Sequence, residues 1–249
     1  MARFFVKDEQ VKGDQVFIVG SDVRHISKVL RMQPGDCLSL IDEAGTEYEA
    51  RITQIAPERI TCEIVTETSV NREPPLEVIL CQGLPKGDKL ELIIQKGVEL
   101  GVTRIIPVSC TRSVVQLTEE KAAKRRDRWQ RVALEAAKQC RRNKVPEVSP
   151  LTGFDEALQL IPDGVLAVIP WEDAVGTGLK KVLRSYNNRG QVWIFIGPEG
   201  GFTEAEIEKA KGKGVVPVTL GRRILRTETA GIAAITMVLY QLGDLGGMA

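Results

Sequence analysis

The chain has 249 residues, 43% of them hydrophobic, with 34 Lys and Arg against 33 Asp and Glu for a formal net charge of +1. That content fills a full core, predicts two domains, and excludes a polycation or an acidic disordered chain. No apolar run approaches a membrane span, and none of signal-peptide length follows MARFFVKDEQ (Met1 to Gln10), so a cytoplasmic protein with no membrane partner is expected.

The first 70 residues read as a small β-rich unit. Short β-branched runs, QVFIVG, DCLSLI, TEYEARITQI and RITCEIV, are separated by turn chemistry, with Asp42 to Gly45 as a hairpin turn. One short helix, SDVRHISKVLR, interrupts them, with Ser21 or Asp22 as its N-cap. The polar stretch TETSVNREPP (Thr66 to Pro75) reads as an interdomain linker. From residue 75 strands and helices alternate. LEVILC (76–81) is followed by a helix that Asp88 caps, with Leu90, Ile93, Ile94 and Val98 on one face and Gly101 as its stop. RIIPV (104–108) comes next, then a helix with Trp129, Val132, Ala133, Ala136 and Cys140 on one face. From Glu120 to Lys144 this segment holds ten Lys or Arg against three acids, so its other face is either solvated charge or a surface for phosphates. A short helix around 154–160, then VLAVI (165–169), QVWIFI (191–196) and VVPVTL (215–220), with helices around 174–185 and 204–212, complete a mostly parallel sheet covered on both faces.

Two stretches carry candidate chemistry. In WIFIGPEGGFTEAEI an apolar strand ends in Gly197 to Gly201, and a helix starts at once with Thr203 as N-cap and Glu206 three residues on. Glycines there let backbone N–H groups approach a ligand at a helix N-terminus; a tight turn without a ligand would leave the same pattern. In LGRRILRTETAGIAAITMVLYQL (Leu220 to Leu242) three arginines precede an apolar helix that Thr227 could cap. Signatures of several common enzyme classes are missing. There is no GxxxxGK[ST], and the GxG at Gly176-Thr177-Gly178 lacks a dinucleotide-binding context. His25 is the sole histidine, and Cys37, Cys62, Cys81, Cys110 and Cys140 form no CxxC, so no triad, disulfide framework or metal site is expected.

IGPEGGFTEAE and LGRRILRTETA, together with QKGVELGV (Gln95 to Val102), IIPVSCTRS (Ile105 to Ser113) and HISKVLR (His25 to Arg31), resemble the RsmE family of bacterial methyltransferases, in order and over nearly the whole chain. The resemblance implies methylation of N3 of a uridine in 16S ribosomal RNA of the small subunit, with S-adenosylmethionine as methyl donor. It implies a PUA-like RNA-binding β-barrel over 1–70 and, over 75–249, a SPOUT domain with a deep trefoil knot that works as a homodimer. Knots are rare exceptions to ordinary connectivity, so periodicity could not have yielded one. The cofactor loops carried over are Ile169, Pro170, Trp171 and Glu172; Gly197, Pro198, Glu199, Gly200 and Gly201; and Leu220 to Arg226, with Leu220, Gly221, Ile224 and Leu225 walling the slot. Arg226 is expected to stabilise charge on the reacting base, and Glu228 is either a base or a first-turn acid of the helix. Arg222 and Arg223 suit phosphates or a subunit contact. Arg3, His25, Arg31, Lys86, Lys89, Lys96 and Arg112 are expected at RNA. Two other readings stay open: a knotted methyltransferase acting on another base or a ribose 2′-OH, and a non-catalytic RNA-binding module.

Overall fold

The computed structural model describes residues 1–68, 70–174, 176–186 and 190–247. It divides into two compact units, Met1–Glu73 with Lys138–Lys144, and Pro74–Ala137 with the chain from Val145 onward.

In the first unit, β1 (Arg3–Phe5), β2 (Val11–Lys12), β3 (Gln15–Val19), β4 (Cys37–Ile41), β5 (Glu47–Ile55) and β6 (Arg59–Thr68) form one sheet in the order β1-β4-β5-β6-β3-β2. β1 runs parallel to β4; the other neighbours are antiparallel. Period-two alternation chooses the core: Val16 and Ile18, Leu38 and Leu40, Ala50 and Ile52, Ile60 and Cys62 all turn inward. The Asp42–Gly45 turn joins β4 to β5, with the Gly45 N–H donating to the Asp42 carbonyl at 3.1 Å. The expected helix is shorter and starts differently. α1 (Ser21–Arg24) passes into a single wide turn over His25–Val29, and its cap is Gly20 instead of Ser21 or Asp22. The chain leaves β3 through a left-handed residue, φ 74°, which glycine adopts without the steric cost of a side chain.

The stretch read as a linker is partly built into this unit. β6 continues to Thr68, and the Glu73 carboxylate holds the Arg142 guanidinium and the backbone N–H groups of Asn143 and Lys144 at 2.9 and 3.1 Å. A second carboxylate works deeper. Glu47 accepts from Arg3 at 2.8 Å, Ser39 at 2.7 Å and Arg72 at 2.7 Å, and its side chain is 14% exposed. Burial alone would raise its pKa, but the hydrogen bonds from Ser39 and Arg72 and the positive charge of Arg3 and Arg72 outweigh it and hold the carboxyl below its usual range. A lowered folded pKa adds stability that is present above the unfolded value and lost as pH falls through the folded one. Glu47→Gln is therefore expected to cost about 3 kcal/mol at neutral pH, the low end for breaking a near-buried pair. The gap to the wild type should narrow once pH falls below the unfolded carboxylate value, roughly 4.3, and vanish only below the lowered folded one, as measured by urea unfolding across that range.

The second unit contains β7 (Glu77–Gly83), α2 (Lys89–Leu100), β8 (Arg104–Ser109), most of α3 (Glu119–Cys140), β9 (Glu147–Val148), β10 (Thr152–Gly153), α4 (Phe154–Gln159), β11 (Leu166–Pro170), α5 (Leu179–Ser185), β12 (Gln191–Ile196), α6 (Glu204–Gly212), β13 (Val216–Val218) and α7 (Thr227–Leu242). The sheet runs β10-β8-β7-β12-β11-β13, with β9 also on β8, and all its pairs are parallel. The strands are apolar on both sides because both faces are covered. Ile79, Cys81, Ile106, Trp193 and Phe195 meet Phe154 and Leu158 of α4 and Ile207 and Ala210 of α6. The opposite face receives α7, which also packs on α2.

Asp88 stands before α2 as expected, but its carboxylate makes no cap; the Asp88 carbonyl takes the Glu91 N–H at 3.0 Å instead. Trp129, Ala133 and Ala136 bury as expected on α3, whereas Val132 and Cys140 are only half-buried and Ala137 joins the buried face. Among the described residues no helix is long and apolar enough to cross a membrane.

Candidate active site

The registers that align Val168 with Ile194 and Pro170 with Val218 bring the carboxyl ends of β11, β12 and β13 side by side. The loops leaving them surround one cavity of about 580 Å³, at the position where parallel sheets present ligand crevices. Pro170, Trp171 and Glu172 line it from the β11 loop, Gly197 to Phe202 from the β12 loop, and Thr219 to Arg226 from the β13 loop, with Lys89 reaching in from the start of α2.

Tight packing fixes the β12 loop. A Cβ on Gly83 would lie 2.6 Å from the ring of Pro198, and one on Gly197 would lie 3.2 Å from the backbone of Gly201. The Gly201 N–H closes the turn on the Pro198 carbonyl at 2.9 Å, and Gly201 takes φ 67°. α6 then starts in the expected capping box. The Glu206 N–H donates to the Thr203 hydroxyl at 3.2 Å, the Thr203 N–H donates to the Glu206 carboxylate at 2.8 Å, and that carboxylate also takes the Thr111 N–H at 2.8 Å. Arg112 backs the same loop, donating to the Gly200 carbonyl at 3.1 Å.

Thr227 is not the cap of α7. The N-cap is Arg226, and the buried Thr227 hydroxyl donates to the Gly197 carbonyl at 2.6 Å while accepting from the Gln82 side chain at 2.8 Å. That buried chain ties the ends of β7 and β12 to the helix following the third loop. Sequence reading missed Gln82; the one signal for it was a polar residue closing an otherwise apolar strand.

The structure brings together Pro170, Gly197, Pro198, Glu199, Gly200, Gly201, Leu220, Gly221, Ile224, Leu225 and Arg226 around the cavity. Ile169 lies outside that lining, fully buried in the core, and Ile224 is 84% exposed although it stands at the rim. Arg226 is exposed, and no carboxylate holds it among the described residues. Glu228 lies outside the lining, its side chain 16% exposed, 3.4 Å from the Lys89 ammonium.

The expected RNA residues scatter. Lys89 faces the cavity and donates to Glu199 at 2.9 Å. The hydrogen bond to Glu199, with the charges of Glu199 and Glu228, raises its pKa. Burial works against ionised Glu199, but bonds from Lys89 and the Lys86 N–H hold its carboxyl below the usual range. Lys96 pairs with Glu99 on its own helix. In the first unit, Arg3 is 7% exposed and drawn inward by Glu47 and the Arg142 carbonyl, so it does not stand at the surface. His25 packs edge-on against Phe4 at 5.7 Å, and exposed Arg31 takes φ 54°.

Residues 72–239 match the model of an RNA methyltransferase domain, and residues 18–65 match an RNA methyltransferase PUA domain. The chain is 39% identical to ribosomal RNA small subunit methyltransferase E of Bacillus subtilis, over 99% of both chains. It is 37% identical, with TM-score 0.87, to the crystal structure of a ribosomal RNA small subunit methyltransferase E from Neisseria gonorrhoeae bound to S-adenosyl methionine; the match covers 98% of this chain and 99% of that one. A solved structure from Legionella pneumophila in complex with bound cofactor SAM is 33% identical, TM-score 0.88, over the same shares.

Proposed function

The chain belongs to the ribosomal RNA small subunit methyltransferase E family, and from that premise we propose that it transfers a methyl group from S-adenosylmethionine to N3 of one uridine in 16S ribosomal RNA. The observation that carries the reading is the convergence of all three expected cofactor loops on a single cavity at the carboxyl ends of β11, β12 and β13.

The cavity suits this donor. Its walls are largely glycine backbone and apolar side chains, which fit a flat neutral adenine, and its volume lies in the usual range for such ligands. The Gly197–Gly201 loop, Leu220, Gly221 and Leu225 would hold it, with Pro170 closing one side. When bound, the sulfonium supplies an activated methyl group. The protein's own task is to align N3 with that methyl and to manage the charge that N3 deprotonation places on the flanking carbonyl oxygens. Arg226, uncommitted at the rim, carries that charge; Glu228 accepts the N3 proton.

The first unit is the RNA-binding module, domains dividing near residues 70–75, and the second is a knotted SPOUT domain active as a homodimer in the cytoplasm. His25 and Arg31 in the first unit, with Lys86, Lys96 and Arg112 in the second, are the candidate RNA positions. The assay is transfer of labelled methyl groups into small-subunit RNA from cells lacking this gene. Incorporation supports the reading; none would leave a non-catalytic RNA-binding module.

A further inference from the structure

Lys89 is held in a way that a phosphate-binding lysine is not. Its ammonium lies 2.9 Å from Glu199 on the β12 loop and 3.4 Å from Glu228 in the first turn of α7, so one side chain spans the cofactor loop and the helix that follows the third loop. Glu199 is itself fixed, since the Lys86 N–H donates to it at 3.1 Å. Glu228 is not fixed in that manner. Its Oε2 is buried and takes no hydrogen bond among the described residues, and the 3.4 Å contact to Lys89 is an ion pair without hydrogen-bond alignment. A desolvated carboxylate oxygen is costly unless a charge offsets it, and the Lys89 ammonium stands at ion-pair distance to do so.

We infer that Lys89 is a positioning residue that links Glu199 of the cofactor loop to Glu228, holding the Glu228 carboxylate in place, through the buried Oε2, to receive the N3 proton of the target uracil. The inference rests on the proposed uridine N3 chemistry. The N3–H bond breaks, its proton goes to the Glu228 carboxylate, and the electron pair left on N3 forms the new bond to the donor's methyl carbon. The electrons of the broken S–C bond stay on sulfur. Glu228 later returns its proton to solvent. Because Glu199 sits on the cofactor loop, an ordered loop and a ready base are parts of one arrangement, and Lys89 carries the connection.

The experiment uses the full-length protein with Lys89→Met, Lys89→Arg and Glu228→Gln, on RNA carrying uridine or 5-fluorouridine at the target. Fluorine makes N3–H more acidic, so the modified base depends less on a protein base. With saturating S-adenosylmethionine, Lys89→Met is expected to lower kcat on uridine about 100-fold, the scale of a lost general base. RNA affinity and cofactor affinity by calorimetry should change less than about threefold, well under a tenfold, 1.4 kcal/mol effect. 5-Fluorouridine should restore most of the kcat lost in both Lys89→Met and Glu228→Gln. Lys89→Arg, which keeps the charge, should fall less than about tenfold on the same scale. Weaker RNA binding at unchanged kcat would make Lys89 a phosphate contact and overturn the inference. An equal kcat loss on both bases would overturn it too. A wild-type protein that leaves uridine N3 unmodified would instead overturn the function on which it rests.

Discussion

Replacing Arg226 with alanine is expected to lower kcat for methyl transfer by about 10²- to 10³-fold, the cost of deleting one preorganised charge-stabilising donor, while cofactor affinity changes little. The surroundings of the side chain set that size. Arg226 is exposed at the cavity rim, precedes α7 as its N-cap residue, and has no carboxylate partner among the described residues to divert its charge. Lys89, which also lines the cavity, is occupied by Glu199 and Glu228. Arg222 and Arg223 line the same loop. Lysine at 226 keeps the charge but not the planar two-pronged donor, so Arg226→Lys should recover only part of the lost rate. Steady-state kinetics paired with calorimetry separates the outcomes: a loss confined to cofactor affinity would remove Arg226 from its proposed role.

The second large effect lies behind the cofactor loop. Gly83 ends β7, and an added Cβ would meet both the nitrogen and the Cδ of Pro198 at 2.6 Å, so either the strand end or the loop must move. Gly83→Ala is expected to cost about 2 kcal/mol as an overpacking substitution, or roughly 5 °C in Tm. Its effect on methyl transfer should be larger, about 100-fold in kcat/KM, because small displacements of positioning groups slow the chemistry that much. Gly212→Ala is the control. It lies in α6 with open space around the added carbon and should be neutral or slightly stabilising. Thermal unfolding and kinetics of the two variants check the pair; a Gly83→Ala enzyme with full activity would mean that the loop tolerates displacement.

Much of this arrangement was legible in the residues. QVWIFI is β12 residue for residue, the Thr203 and Glu206 box opens α6, and the apolar stripe of α2 buries as its spacing predicts. These depend on neighbours a few positions apart. What could not be read depends on partners distant in sequence. Lys89 is 110 residues from Glu199, Arg3 is 44 from Glu47, and Gln82 is 145 from Thr227. Composition marks such residues only as charged or polar, and the fold alone decides which are taken up in internal pairs. Caps failed for a related reason. Asp88 and Ser21 are chemically suited to capping, but the backbone around them satisfies the first turns without their side chains. The proposed knot stands apart: neither spacing nor strand patterning signals how a chain threads through itself.

The central claim is that this chain methylates N3 of a uridine in 16S ribosomal RNA. The direct measurement is mass-spectrometric identification of the nucleoside formed when the protein and S-adenosylmethionine act on small subunits, or their free RNA, from cells lacking the gene. N3-methyluridine is expected at one position, absent from the untreated RNA and strongly reduced with Arg226→Ala. Methylation of a ribose or of another base, or no incorporation at all, would contradict the claim.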